Sequence, residues 1–199
     1  YMQTKKDDIK QDILTAASHE FAHKGYQKSS LRTIAIKANT TLGNLYNYFP
    51  NKEAILDEII DDIPNKIQHI INRHNDPDMM AKFGDNIRSD EATKLMTELF
   101  PFEVLLSEPF IILMEGCEGT KYESYKDLFT TAFSDHVANH LNIKNGNAFL
   151  PQSFTHGGIT AILIIAKSKK SMNDKIKDLS DYIYTMTYGL PIIRDKNNK

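Results

Sequence analysis

Apolar residues recur along this chain at helical rather than strand spacing. Ile9, Ile13, Ala17 and Phe21 stand four apart, on one face of a first helix over 5–24 that Gly25 ends as a left-handed residue. Ser29 and Ser30 offer an N-cap before the apolar set Leu31, Ile34, Ala35 and Ala38, and Asn39 suits the following turn because it tolerates left-handed backbone. Thr41 caps a short segment over 41–49 in which Leu45 and Phe49 share a face and which Pro50 closes. Asn51 then caps one long helix carrying Ile55, Leu56, Ile59, Ile60, Ile63, Ile67, Ile70 and Ile71, expected to kink near Pro64 and to stop at Asn75-Asp76-Pro77. Further helical patterns cover 79–99, 102–115, 120–142, 153–169 and 172–188, with no alternating run long enough for a strand. The predicted fold class is all-α.

Composition adds a location and an asymmetry. The 199 residues suffice for a real core, and the net charge of −2 is that of no general polycation. Residues 1–52 carry 8 basic against 4 acidic side chains, and the remainder 16 against 22, so a polyanion is expected to meet the N-terminal quarter. With Cys117 the one cysteine, no intramolecular disulfide forms, which fits a reducing compartment and a cytoplasmic location. The stretch from Ile159 to Ala166 falls short of a bilayer span, and charges occupy the place of a signal peptide's apolar core, so a soluble protein with no membrane partner is expected.

Three short helices with a tight turn between the second and third are what a helix-turn-helix needs, and residues 5–49 supply them. A two-turn helix is unstable alone, so Leu45 and Phe49 must be buried. That turns Leu42, Gly43, Asn44, Tyr46, Asn47 and Tyr48 outward. Asparagine pairs bidentately with adenine, tyrosine hydroxyls reach phosphates, and Gly43 lets the helix start approach bases. Lys52 adds charge at a helix N-terminus. Double-stranded DNA is the expected partner. The division expected is an N-terminal three-helix DNA-binding domain over 1–50 and a helical ligand-binding and dimerisation domain over 51–199.

Over residues 9–56 the set Ile13-Leu14, Ala16-Ala17, Phe21, Gly25, Ser30, Ile34-Ala35, Ala38, Gly43, Leu45-Tyr46, Tyr48-Phe49 and Asn51-Lys52-Glu53 resembles the TetR family signature. The resemblance implies a transcriptional regulator, usually a repressor released by a small-molecule effector, that dimerises through its last two long helices. Carried over by position, phosphate contacts fall on Ser30, Arg32, Tyr46, Tyr48 and Lys52, and base contacts on Leu42, Gly43, Asn44 and Asn47. Departures are Asn39 and Thr40 in place of Gly-Val, Leu42 in place of a polar residue, and Glu20 where an apolar residue usually precedes the phenylalanine.

A rival of another class is a zinc-dependent hydrolase using His19-Glu20-Phe21-Ala22-His23, which matches H-E-x-x-H. Both histidines lie about 160° around the helix from Phe21. They are therefore expected in solvent, with no third ligand evident. His136 and His140, also four apart, are likewise assigned to a solvated face. No cofactor and no enzymatic activity are expected.

Met96, Phe100, Phe102, Leu105, Met114, Tyr122, Phe129 and Phe133 are candidate lining for a small apolar effector, or plain core, with Glu115 and His136 as possible polar anchors. Ile159, Ala161, Ile162, Leu163, Ile164, Ile165 and Ala166 make their helix apolar on every side, which implies two buried faces. One face is assigned to its own domain and the other to a homodimer partner, with Tyr182, Ile183 and Met186 continuing the surface.

Overall fold

The computed structural model of the chain describes residues 2–74, 94, 97, 102–140, 143 and 149–197. These contain helices α1 (Met2–Lys28), α2 (Leu31–Lys37), α3 (Leu42–Tyr46), α4 (Lys52–Ile60), α5 (Ile63–His74), α6 (Phe102–Leu105), α7 (Glu108–Ile111), α8 (Tyr125–His140), α9 (Phe149–Lys167) and α10 (Met172–Asn197). A π-helical turn, Ile112–Gly116, follows α7 directly. Among the described residues there is no strand. Most of the helix expected over 79–99 lies outside the described residues, as do Met96 and Phe100.

The chain forms two compact units, one of residues 1–64 with 108–126 and the other of 65–107 with 127–199. In the first, Ile13, Ala17 and Phe21 of α1, Ile34 of α2, Leu45 of α3 and Ile55, Leu56 and Ile60 of α4 are wholly buried. Each large apolar side chain so buried contributes about 1.5–3 kcal/mol. The caps read from the sequence are in place. Ser30 Oγ accepts from Thr33 N at 3.2 Å, Thr41 Oγ1 from Asn44 N at 3.1 Å, and Asn51 Oδ1 from Ala54 N at 2.8 Å. Gly25, at φ 76°, interrupts α1, and Asn39, at φ 51°, makes the turn between α2 and α3. α1 also packs on α7 and the π turn. A side chain at Gly116 would bring its Cβ to 3.3 Å from the Phe21 carbonyl oxygen, so a glycine permits that approach.

In the second unit α9 lies along α10, with Ile159, Leu163, Ala166 and Leu179 buried. Lys175 Nζ donates to the Ala166 carbonyl at 2.7 Å near the end of α9, and Ser171 Oγ caps α10 by accepting from Asp174 N at 3.2 Å. α6, with Phe102 and Leu105 buried, also meets α10.

Several expected boundaries are corrected, and proline position explains two of them. The long helix expected from Asn51 to residue 74 is instead α4 and α5, separated at Asp61 and Asp62. Pro64 is the second residue of α5, and Pro151, expected to precede its helix, is the third of α9. In a first helical turn the missing N–H costs nothing, because that donor has no intrahelical partner anyway. The helix expected over 102–115 is α6, α7 and the π turn, broken at Leu106 and Ser107; the one expected from 120 begins at Tyr125. Because α9 starts at Phe149 it has 19 residues of mean hydropathy 1.3, long and apolar enough by those measures to cross a membrane. That replaces the shorter apolar stretch of the sequence reading. A packing helix of a globular protein passes the same test.

Candidate DNA-binding surface

The α2–turn–α3 unit is closed by a few local backbone hydrogen bonds. Ala38 N donates to Ile34 O at 2.9 Å and Thr40 N to Ala35 O at 2.9 Å, which closes the turn around Asn39. With Leu45 and Phe49 buried, α3 presents Gly43, Tyr46 and Asn47 to solvent, Tyr46 at 50% exposure, while Leu42, Asn44 and Tyr48 are half-buried. Arg32 and Ser30 are exposed on and before α2. The nine residues singled out for DNA thus fall in one compact unit, on or beside α2 and α3 and at the start of α4.

Their partners separate them by role. Asn44 Nδ2 donates to Thr40 Oγ1 at 2.8 Å, and Asn44 Oδ1 accepts from Asn47 Nδ2 at 3.3 Å. Both ends of the Asn44 amide are engaged within the protein, whereas Asn47 keeps its carbonyl and its second N–H. Ser30 Oγ serves as the cap and also lies 3.3 Å from Thr33 Oγ1. At Gly43 an added Cβ would meet nothing within 4 Å, so the fold itself sets no steric demand for glycine there.

Lys52 is less free than a surface lysine. Its ammonium donates to the carbonyls of Tyr26 at 2.6 Å and Ser29 at 2.9 Å and sits 4.1 Å from the centre of the Tyr26 ring. Burial pushes its pKa down. Two of three donors are therefore spent joining the start of α4 to the last turn of α1 and the link to α2, and the third is left for an anion.

Glu20 and Tyr26 support this surface without being assigned to it in the sequence reading, and Ser29, expected with Ser30 as a cap of α2, bonds back to α1 instead while Ser30 caps. Ser29 Oγ donates to Gly25 O at 2.6 Å and is buried, closing the connection that Gly25 opens. Glu20, only 1% exposed, pairs with Lys24 of its own helix at 2.7 Å and with Lys37 of α2 at 2.6 Å. Hydrogen bonds from Lys24 and then Lys37 hold its carboxyl below the usual value despite burial. The available signal was a carboxylate on an apolar helix stripe with a lysine four residues on.

The same pairing removes the hydrolase reading. His19 and His23 are exposed as expected, but the glutamate of the H-E-x-x-H pattern is buried among lysines rather than beside the imidazoles, so it cannot act as the base for a metal-bound water. The expectation that no third ligand is near is also corrected, because Glu108 brings a carboxylate oxygen within 4.8 Å of a ring nitrogen of each histidine. His136 is 5% exposed, so its assignment to a solvated face is wrong: its side of α8 is buried, with Val137 beside it. The ring of Phe133 stands 5.7 Å from it.

The candidate effector residues are divided between the units. Met114 and Tyr122 belong to the first, and Phe102, Leu105, Phe129 and Phe133 to the second. Phe129 and Phe133 stack at 5.9 Å, while the Tyr122 hydroxyl donates to Asp57 Oδ1 at 3.0 Å. A cavity of about 380 Å³ in the first unit is lined by Leu113, Met114 and Cys117 but also by Glu118, Glu123 and Lys126. Met114 and Glu115, the latter also lining it, are the residues it shares with the sequence reading.

A capped α2, a tight turn and a short α3 braced by α1 define a protein with an N-terminal helix-turn-helix DNA-binding domain. Residues 13–59 match the family described as bacterial regulatory proteins, tetR family. Over 69 residues, 35% of each chain, it is 32% identical to YdgC of Bacillus subtilis (strain 168), an HTH-type transcriptional regulator. That match spans about a third of the relative's length. YxaF of the same organism, also an HTH-type transcriptional regulator, is 25% identical over 182 residues, 82% of this chain and 94% of YxaF. Among solved structures, NalD of Pseudomonas aeruginosa, the secondary repressor of the MexAB-OprM multidrug efflux pump, superposes with a TM-score of 0.52 at 20% identity, covering 94% of this chain and 98% of NalD. These relatives are regulators of transcription, not enzymes.

Proposed function

We propose that this chain is a cytoplasmic, homodimeric repressor of transcription that binds double-stranded DNA through α2 and α3 and releases it on binding a small apolar effector. The observation that carries the reading is α3 itself: a capped helix of five residues whose apolar side is buried and whose Gly43, Tyr46 and Asn47 face solvent unburdened by packing. In this reading residues 1–50 are the DNA-binding domain and 51–199 the regulatory one. Asn47, Gly43 and Leu42 meet bases, Asn44 orients Asn47, and Ser30, Arg32, Tyr46, Tyr48 and Lys52 meet phosphates.

The dimer rests on α9 and α10. Ile159, Leu163 and Ala166 are buried within one chain, yet Ile164 remains 67% exposed and Ile162 and Ile165 half-buried. In the proposed dimer each recognition helix serves one of two successive major grooves, which lie about 34 Å apart along DNA. Phe102, Phe129 and Phe133, all in the second unit, remain proposed effector contacts. No cofactor and no membrane partner enter this reading. Selection of bound duplexes from a random pool tests it, with recovery of a near-palindromic site by the wild-type chain and none by a variant lacking α3's outward residues as the expected result. Recovery of no sequence at all by the wild type would end the reading.

A further inference from the structure

On the side of α1 that faces away from its buried stripe, one ligand atom each of His19, His23 and Glu108 lies within 4.8 Å of the others. The histidines are one helical turn apart and both exposed. Glu108 is half-buried and comes from α7, 85 residues further along the chain but in the same compact unit. We propose that these three side chains form a binding site for a divalent late first-row transition metal, zinc above all, that clips α7 to α1.

The chemistry of the donor set favours this class of ion. Two imidazoles and one carboxylate are the ligands of many three-residue zinc sites, which leave a fourth position to water. Hard calcium and magnesium take oxygen instead. Ligand atoms on one tetrahedral zinc stand about 3.3 Å apart, given bonds of about 2.0–2.1 Å. The three atoms need to close by about 1.5 Å at most, within reach of side-chain rotation, both histidines being exposed.

Two further contacts point to a built site rather than three neighbours by accident. His23 Nδ1 lies 2.9 Å from the His19 carbonyl oxygen, an acceptor, so Nδ1 carries the proton and the lone pair is on Nε2. Ser18 Oγ donates to Glu108 Oε2 at 2.8 Å and holds the carboxylate on the α1 side. A metal ligand oriented by a backbone carbonyl and another by a hydroxyl is the arrangement that sets tautomer and direction in metal sites. The imidazoles stack at 4.1 Å between centroids and 14° between planes, which holds the two rings side by side on α1. Glu20 takes no part, being buried against Lys24 and Lys37, and the site is structural rather than hydrolytic.

The test uses the full chain without a histidine tag, stripped with chelator and titrated with zinc chloride by calorimetry. One zinc per chain is expected, together with a rise in Tm of about 5 °C or more at a hundredfold excess over Kd. Cobalt in its place is expected to show the visible absorption of a tetrahedral nitrogen and oxygen site. His23→Gln and Glu108→Gln should each lower zinc affinity at least tenfold and abolish the cobalt bands, while Ser18→Ala, which removes only the positioning hydroxyl, should lower it about tenfold. His156→Gln, at an exposed histidine elsewhere, should change nothing. If Glu108→Gln fails to fold, His23→Gln decides alone, since that ring is exposed. Absence of stoichiometric binding, or binding and cobalt bands unchanged in His23→Gln, would overturn the proposal. Each readout is made without DNA and is independent of the regulatory reading.

Discussion

Lys37 Nζ lies 2.6 Å from Oε2 of Glu20, a carboxylate almost wholly removed from water, so the second helix of the DNA-binding domain is tied to the first by a charge pair with one buried end. An exposed pair of this kind contributes about 0–1 kcal/mol. Here the exposed lysines can rehydrate if the glutamate is lost, but the glutamate cannot if a lysine is lost.

Lys37→Met is therefore expected to destabilise the chain by about 1–3 kcal/mol, more than Glu20→Gln, as read by urea unfolding. The pH dependence follows from the lowered carboxyl. A group whose folded pKa is depressed contributes stability above its ordinary value, here 4.5, and loses it as the pH falls through the lower folded value. Wild type should lose stability between about pH 5 and the folded value, and Glu20→Gln should lose correspondingly less over the same interval. Equal slopes in the two proteins would show that the pair does not carry the acid response.

At the DNA surface, Tyr46→Phe should weaken binding to all duplexes similarly, whereas Asn47→Ala should relax preference at one base position by about 1–3 kcal/mol. Asn44→Ala removes the acceptor of Asn47 Nδ2 and should likewise blur that position without a contact of its own. Competition binding against single-position operator variants separates the three. A uniform loss for Asn47→Ala would remove it as a base reader.

Lys52→Met tests a residue with two duties. Loss of the bonds to Tyr26 O and Ser29 O should cost about 1–2 kcal/mol of stability, and loss of the charge should lower the slope of log affinity against log salt by about 1. An unchanged salt slope with reduced stability would assign Lys52 to the fold alone.

Ile164→Asp places a charge on the exposed face of α9, where a folded monomer tolerates it and a dimer interface does not. Sedimentation is expected to show a folded monomer at concentrations where wild type is dimeric. A dimer that persists would move the interface elsewhere.

Cys117 reports on opening of the first unit. Burial pushes its thiol up to about 11 from an ordinary 9.0, so at pH 8 the thiolate is about a hundredfold scarcer than in the unfolded chain. Reaction with an aromatic disulfide should be slower in native protein than in urea. Rapid native labelling would contradict the burial.

Helix identity, the caps at Ser30, Thr41 and Asn51, the turn at Asn39 and the face that α3 turns to solvent were all legible in the sequence, because each depends on residues within four positions of one another. Capping and helical periodicity are local, and local rules can be read from local spacing. The exceptions also have a local cause: Pro64 reads as a kink and Pro151 as a break, since sequence shows the missing N–H but not whether that residue falls in the first turn. The tertiary structure alone decided the rest. It set Glu20 against Lys37, drew the Lys52 ammonium onto Tyr26, buried His136 and brought Glu108 from another helix to His19 and His23. Those are meetings between distant segments, and a charged side chain's spacing along the chain says nothing about which surface the folded backbone will bring to it.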